Sequence, residues 1–185
     1  SPPPSVVAAR LGDFRGVKHL VDLCGGGGVF AIPLALDHAH LRITLVDRPA
    51  VISETAKYLA GHGVAQQVDL IGMDIFADPW DFGAFDGAML GNVLHGMTDD
   101  ACHWICEAIH KSLSIGGRLW VHEVLFNEGR DGPLLAALWH ANMMIRGGKQ
   151  RTASQTAALL TAAGFTMISV VPTTAHFSLI CCAKR

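Results

Sequence analysis

The stretch Leu20-Val21-Asp22-Leu23-Cys24-Gly25-Gly26-Gly27-Gly28-Val29-Phe30 reads as a buried strand, four glycines and the start of an apolar helix. Glycines at such a turn let the backbone bend sharply and approach a ligand that a Cβ would hold away. A second apolar run, residues 41–46, follows about 20 residues on and ends in Asp47. An acidic side chain at the tip of a second strand is placed to hold a ribose. Strand, glycine loop, helix, strand and acid together describe a nucleoside-cofactor site.

Working outward, further strands are expected at 67–71, 84–90 and 118–124, after the first two at 18–24 and 42–47. Helices are expected at 28–38, 49–61, 101–114 and 133–145, with a last one from 152 to 164. Pro49 suits a first helical turn. Asp99 and Asp100 are expected to cap the 101–114 helix, and Thr152 the last one. Gly116-Gly117 reads as a turn into the fifth strand, and Gly147-Gly148 as the end of the 133–145 helix. The final strands, 166–172 and 176–183, are joined by a short turn. They must pair antiparallel, because a parallel pair needs a crossover. Strands alternating with helices predict an α/β fold: a doubly wound, Rossmann-like sheet of seven strands, mostly parallel, closed by an antiparallel C-terminal hairpin. Residues 1–15, with three consecutive prolines, read as a linker or lead-in that passes through a short helix or loop. Residues 16–185 read as one cofactor-binding domain.

At 185 residues one domain with a sizeable core is expected. Half of the residues are hydrophobic and 16% are charged, which excludes a disordered chain. The formal net charge is −2 and no Lys/Arg cluster occurs. Nucleic acid and an anionic membrane surface are therefore not expected partners. No apolar run reaches the ~18 residues of a membrane span, and the first residues do not have the pattern of a signal peptide. The cysteines at 24, 102, 106, 181 and 182 form no even, spaced framework, and Cys181 and Cys182 on one strand face opposite ways. Reduced thiols, and a cytoplasmic location, are the expectation.

The glycine loop alone fits two cofactors. Gly26-x-Gly28-x-x-Ala31 matches the dinucleotide fingerprint in its alanine variant, with Asp47 at the right distance. Three features point elsewhere. Asp74-Ile75 follows the third strand, where a carboxylate can accept from an adenine amino group and an apolar neighbour can pack on the ring. The chain closes with a hairpin instead of a second mononucleotide-binding half. The loop after the fourth strand carries His95.

These pieces, taken in order, resemble the catalytic domain of class I S-adenosylmethionine (SAM)-dependent methyltransferases. More narrowly, they are similar to the plant phenolic (caffeate-type) and bacterial polyketide O-methyltransferases. The resemblance rests on residues 21–28, Asp47-Arg48-Pro49-Ala50-Val51, Met73-Asp74-Ile75-Phe76 and Asn92-Val93-Leu94-His95 with Asp99-Asp100. It continues through Gly116-Gly117-Arg118-Leu119 with Glu123, residues 147–152, and Ala163-Gly164-Phe165. It implies that Cys24, Gly25 and Gly26 wrap the methionine part of SAM. It also implies that Asp47, beside Arg48, holds the ribose, that Asp74 and Ile75 lie at the adenine, and that Gly91 and Asn92 line the sulfur. His95 falls at the catalytic base and Glu123 at the acid that orients it. S-adenosylhomocysteine is the implied product.

The implied chemistry suits these residue types. A phenol, with a pKa near ~10, is a weak nucleophile at neutral pH, and an imidazole near ~6.5 can take its proton as attack proceeds. Two positions depart from the family. Cys24 stands where glycine is usual, which is harmless only if that residue avoids positive φ. Gln150 replaces a second supporting glutamate of the plant members. The family's N-terminal helical domain, which dimerises and helps wall the substrate pocket, has no counterpart in this chain, so a homodimer is an expectation for a longer protein.

The apolar helix near 133–145, with Trp139, Met143 and Met144, is expected to wall a flat small aromatic or polyketide substrate on one face and to join the core on the other. No metal is expected. His103 with His110 and Cys102 with Cys106 lack a second pair at finger or ribbon spacing. A metal held by His95 and His140 in a 2-oxo-acid methylase meets Gly96 where a third ligand would stand. Three other readings stay open: C- or N-methylation on the same scaffold, a nicotinamide-dependent dehydrogenase, and a catalytically inert binding module.

Overall fold

The computed structural model describes residues 2–185; Ser1, the first residue of the expected lead-in, lies outside the described residues. The chain runs α1 (Pro4–Leu11), β1 (His19–Leu23), α2 (Ala31–Asp37), β2 (Arg42–Asp47), α3 (Pro49–His62), β3 (Val68–Gly72) and β4 (Phe85–Gly91). A 3-10 turn, Leu94–Gly96, then leads to α4 (Asp99–Ser112), β5 (Leu113–Val124), α5 (Leu134–Met144), α6 (Ala153–Ala162), β6 (Thr166–Pro172) and β7 (Phe177–Ala183).

All seven strands join one sheet in the order β3-β2-β1-β4-β5-β7-β6. The pairs from β3 to β5 are parallel, and β5-β7 and β7-β6 are antiparallel. This is the doubly wound, hairpin-closed α/β sheet that the alternation of elements predicts. Leu20, Val21 and Leu23 of the central β1 are wholly buried because helices cover both faces. Val21, Leu23, Leu119, Val121 and Cys182 pack toward α4 and α6. Leu20, Ile43, Leu45, Trp120 and Cys181 pack toward α1, α2 and α3. Cys181 and Cys182 thus enter opposite layers, as the two-residue period of a strand demands. Burying each such large side chain contributes ~1.5–3 kcal/mol.

The differences from expectation have local causes. Helix α2 starts at Ala31 instead of 28 because Gly28, at φ +80°, cannot be helical. Helix α4 is capped by Thr98, whose hydroxyl accepts the Ala101 N–H, while Asp99 and Asp100 occupy its first turn. Strand β5 already begins at Leu113. Gly116, at φ +77°, and Gly117 form an irregularity inside it, not a turn before it. Within the expected lead-in, α1 lays Ala8 and Ala9 into the core against α2, and Phe14 follows them.

At α6, the Thr152 hydroxyl accepts the Gln155 N–H and the Gln155 side chain accepts the Thr152 N–H, a reciprocal capping box. Thr152→Ala is therefore expected to cost about 1 kcal/mol, read as a lower denaturant midpoint at unchanged slope.

Candidate active site

The parallel strands end on one edge, and every residue singled out there by sequence lies on it. The strand order reverses between β1 and β4, which opens a crevice at their carboxyl ends. The glycine loop lines this crevice. A Cβ on Gly25 would lie 2.6 Å from Leu45 and 2.8 Å from Asp22 Oδ2, so only glycine fits. Gly26 takes φ +55°. Its N–H donates to Asp47 Oδ2 (2.9 Å), and its carbonyl accepts from the Thr55 hydroxyl (2.6 Å). The Arg48 N–H donates to the other Asp47 oxygen (2.7 Å). Asp47 thus fastens the loop to the end of β2.

A cavity of about 190 Å³ opens beside this loop, and Cys24, Asp47, Arg48, Asp74 and Ile75 line it. Met73, Phe76 and Met97 complete the lining; none of the three is given a role by the sequence. Gly91 and Asn92 sit on the same edge outside that lining. A Cβ on Gly91 would fall 2.0 Å from the Phe30 ring, and Asn92 takes φ +61° while its N–H donates to the His122 carbonyl (2.9 Å). Cys24 does adopt positive φ, +57°, the conformation that the missing glycine would take without cost. Burial, helped by the nearby Asp47 charge, pushes its thiol up to about 12, so it stays neutral.

His95 stands on the 3-10 turn after β4, and Glu123 ends β5. His95 Nδ1 lies 2.6 Å from Glu123 Oε2. The other carboxylate oxygen accepts the N–H groups of Leu94 (2.8 Å) and His95 (3.4 Å). Glu123 is 3% exposed and His95 9%, so both sit out of bulk water. A carboxylate can only accept, so in the neutral imidazole the proton lies on Nδ1 and the lone pair on Nε2. Trp139 meets the His95 ring edge-on at 5.0 Å. Met143 is half-buried and Met144 is 62% exposed. Gln150 is buried; its N–H donates to His140 Nδ1 (3.2 Å) and its side-chain nitrogen has no partner. Among the described residues, no group of three or more His, Cys, Asp or Glu side chains is arranged to hold a metal ion.

A family model described as an O-methyltransferase domain matches residues 5–166. The chain belongs to this family. The 3-hydroxy-5-methyl-1-naphthoate 3-O-methyltransferase of Streptomyces sahachiroi is 32% identical over 133 residues, 72% of this chain and 38% of that protein. Human acetylserotonin O-methyltransferase is 33% identical over 166 residues, 89% of this chain and 47% of that protein. The chain therefore spans less than half the length of these relatives. Among solved structures, human N-acetylserotonin methyltransferase in complex with SAM superposes with a TM-score of 0.86 at 31% identity, covering 97% of this chain and 50% of that one. Mitomycin 7-O-methyltransferase gives 0.90 at 26% identity, covering 98% and 53%.

Three features of this O-methyltransferase domain escape the sequence reading. The first is His122, wholly buried on β5 and stacked on Phe177 at 4.9 Å, with Phe177 in turn edge-on to Trp139. Burial lowers its pKa to about 4, so it is a neutral packing ring. The second is Arg151, discussed below. The third is Asp22, a carboxyl group inside an otherwise apolar strand, which is itself the signal that could have found it. Asp22 is completely buried and neither oxygen has a well-formed hydrogen bond. Desolvation pushes its pKa up to about 7, against a weaker pull from the Ala31 N–H, and the Asp47 charge adds to the rise.

A carboxyl group whose pKa is raised by folding favours the fold only while protonated. Its contribution is present below about pH 4 and is lost as pH rises toward about 7. Asp22→Asn, which keeps the shape without the charge, is expected to raise Tm above about pH 7, by an amount equivalent to at most ~4 kcal/mol. It should make little difference below about pH 4. A variant that loses stability more at high pH than at low pH would refute the assignment.

Proposed function

We propose that this domain binds SAM along the carboxyl edge of its sheet, and that the protein moves the methyl group to a hydroxyl of a small aromatic or polyketide natural product. S-adenosylhomocysteine is then the second product. The observation that carries this reading is the His95–Glu123 pair, held within hydrogen-bond distance on the same edge as the glycine cradle. The cradle suits a nucleoside cofactor: Gly25, with no Cβ to meet Leu45 and Asp22, lets the loop lie close on the sheet, Asp47 presents a carboxylate at its rim, and Asp74 and Ile75 line the same cavity.

Bound SAM supplies a methyl carbon already activated by a sulfonium charge. The protein's own task is then to position and to move one proton. Cys24, Gly25 and Gly26 wrap the methionine part, Asp47 and Arg48 the ribose, Asp74 and Ile75 the adenine, and Gly91 with Asn92 the sulfur end. His95 Nε2 takes the acceptor's hydroxyl proton. Glu123 holds the opposite nitrogen and stabilises the imidazolium that forms. Gln150 adds no charge to that stabilisation. Trp139, beside His95, is the first wall for a flat acceptor, with Met143 and Met144 further along α5.

The relatives act as whole proteins about twice this length, and we propose that the whole protein works as a homodimer whose further region completes the acceptor pocket. The five cysteines are all free thiols, and among the described residues no helix is long and apolar enough to cross a membrane. A cytoplasmic enzyme fits both facts.

Titration with S-adenosylhomocysteine tests the cofactor, with NAD as control. Saturation at about 100 times Kd should stabilise the fold by ~2.7 kcal/mol, seen as a rise in Tm, while NAD leaves Tm unchanged. Stabilisation by NAD alone would favour a dehydrogenase and sink the proposal. Turnover of a phenol panel tests the reaction. His95→Gln should lower kcat by about 10²–10⁴ with the Tm shift from S-adenosylhomocysteine intact. Full rate in that variant removes His95 as base.

A further inference from the structure

We infer that Arg151 is a positioning residue for His95, acting through the backbone of the turn that carries it. This rests on the reading of His95 as the base. Arg151 lies just before the cap of α6, and its side chain is 5% exposed. Its Nη1 donates to the Leu94 carbonyl (2.9 Å), and its Nη2 to Asp99 Oδ1 (2.6 Å). Leu94 opens the catalytic turn and Asp99 begins the helix that follows it, so one guanidinium staples both ends of the loop that holds His95. A lysine, with a single ammonium at its tip, cannot span both acceptors in this planar, two-pronged way.

The Leu94–His95 peptide plane is the point of control. Its carbonyl oxygen accepts from the Arg151 cation, and its N–H donates to the Glu123 anion (3.4 Å). The plane is thus gripped at both ends by opposite charges. Its orientation sets the Cα–Cβ direction of His95, and with it the line from Nδ1 to Glu123 Oε2. The Cys102 thiol also reaches the Leu94 oxygen (3.2 Å), but it is a weak donor. Beneath the turn, a Cβ on Gly148 would fall 2.2 Å from the His95 carbonyl, so the Arg151 segment lies flush against the turn. Asp99 is held ionised: its carboxyl is pulled below the usual range by its hydrogen bonds to Lys149 and Arg151. The staple therefore keeps its charge near neutral pH.

The imidazole resonances of His95 read this arrangement without any acceptor. In the full chain, the side-chain nitrogen–proton spectrum is recorded at neutral pH. His95 is assigned by the signal that His95→Gln removes from those of the ten histidines. A strongly downfield Nδ1–H is expected in the parent chain. Arg151→Met should move it upfield or abolish it through exchange, while the backbone amide spectrum stays native-like. Arg151→Lys should restore it in part, and Lys57→Met, at an exposed surface pair, should leave it unmoved. An unchanged His95 signal in a folded Arg151→Met chain overturns the inference. If that chain does not fold, Asp99→Asn decides: it loosens the same staple from the surface, and the inference stands if the signal moves and falls if it does not. Absence of stabilisation by S-adenosylhomocysteine in the parent chain would remove the proposed function and leave this readout valid, so the two failures are separable.

Discussion

The parallel pairing of β1 with β2 on one side and β4 on the other is the constraint on which the rest of the molecule depends. Parallel neighbours end on the same edge, so the loops that follow Leu23, Asp47, Gly72 and Gly91 are delivered to one place. The order then reverses across β1 and β4, and no helix can cross that point on the ligand side. The crevice is a consequence of topology before any side chain is specified. The side chains then divide it. Asp47 is drawn inward by two backbone N–H groups, one from the glycine loop and one from its own turn. Glu123 is drawn inward by two others from the turn after β4. Each carboxylate organises one loop, and both loops leave the same edge of the sheet.

The layered sheet was legible in the sequence because its signals are local and repeated. Apolar runs of strand length, each followed by a helix-length pattern, leave few alternatives, and the short turn before the last strand dictates an antiparallel close. The acids and the histidine were legible because their place at strand ends is a place in the sequence. Element edges were less so. Nothing in the letters of residues 28–31 says that Gly28 takes positive φ and delays α2, or that Thr98 and not Asp99 accepts the first free N–H of α4. These outcomes depend on where neighbouring elements pin the chain.

The contacts that stayed hidden span the sequence. Arg151 meets Leu94 across 57 positions, and His122 on β5 meets Phe177 on its antiparallel neighbour β7, with α5, α6 and β6 between them in the chain. Neither residue has a periodicity or a spacing that marks it, and both fall beside residues that do. Asp22 is different, since a carboxylate between Val21 and Leu23 is conspicuous in one dimension. What the sequence withholds there is that helices on both faces leave the group without water.

Cys24 joins the energetic argument to the functional one. A left-handed backbone costs an ordinary residue about 1–2 kcal/mol, and the cysteine accepts that cost at the lip of the cavity. Its neighbours make the conformation unavoidable: β1 is fixed on both sides, and Gly25 N–H is committed to the Val46 carbonyl at 3.2 Å. The strain is therefore imposed by the sheet and held at the wall of the cavity. A glycine would relax it but would free the loop in the unfolded chain. The thiol, kept neutral by burial, adds an apolar surface to the cavity wall without adding a nucleophile there. Packing and chemical inertness thus favour the same side chain at a position where backbone geometry alone favours none.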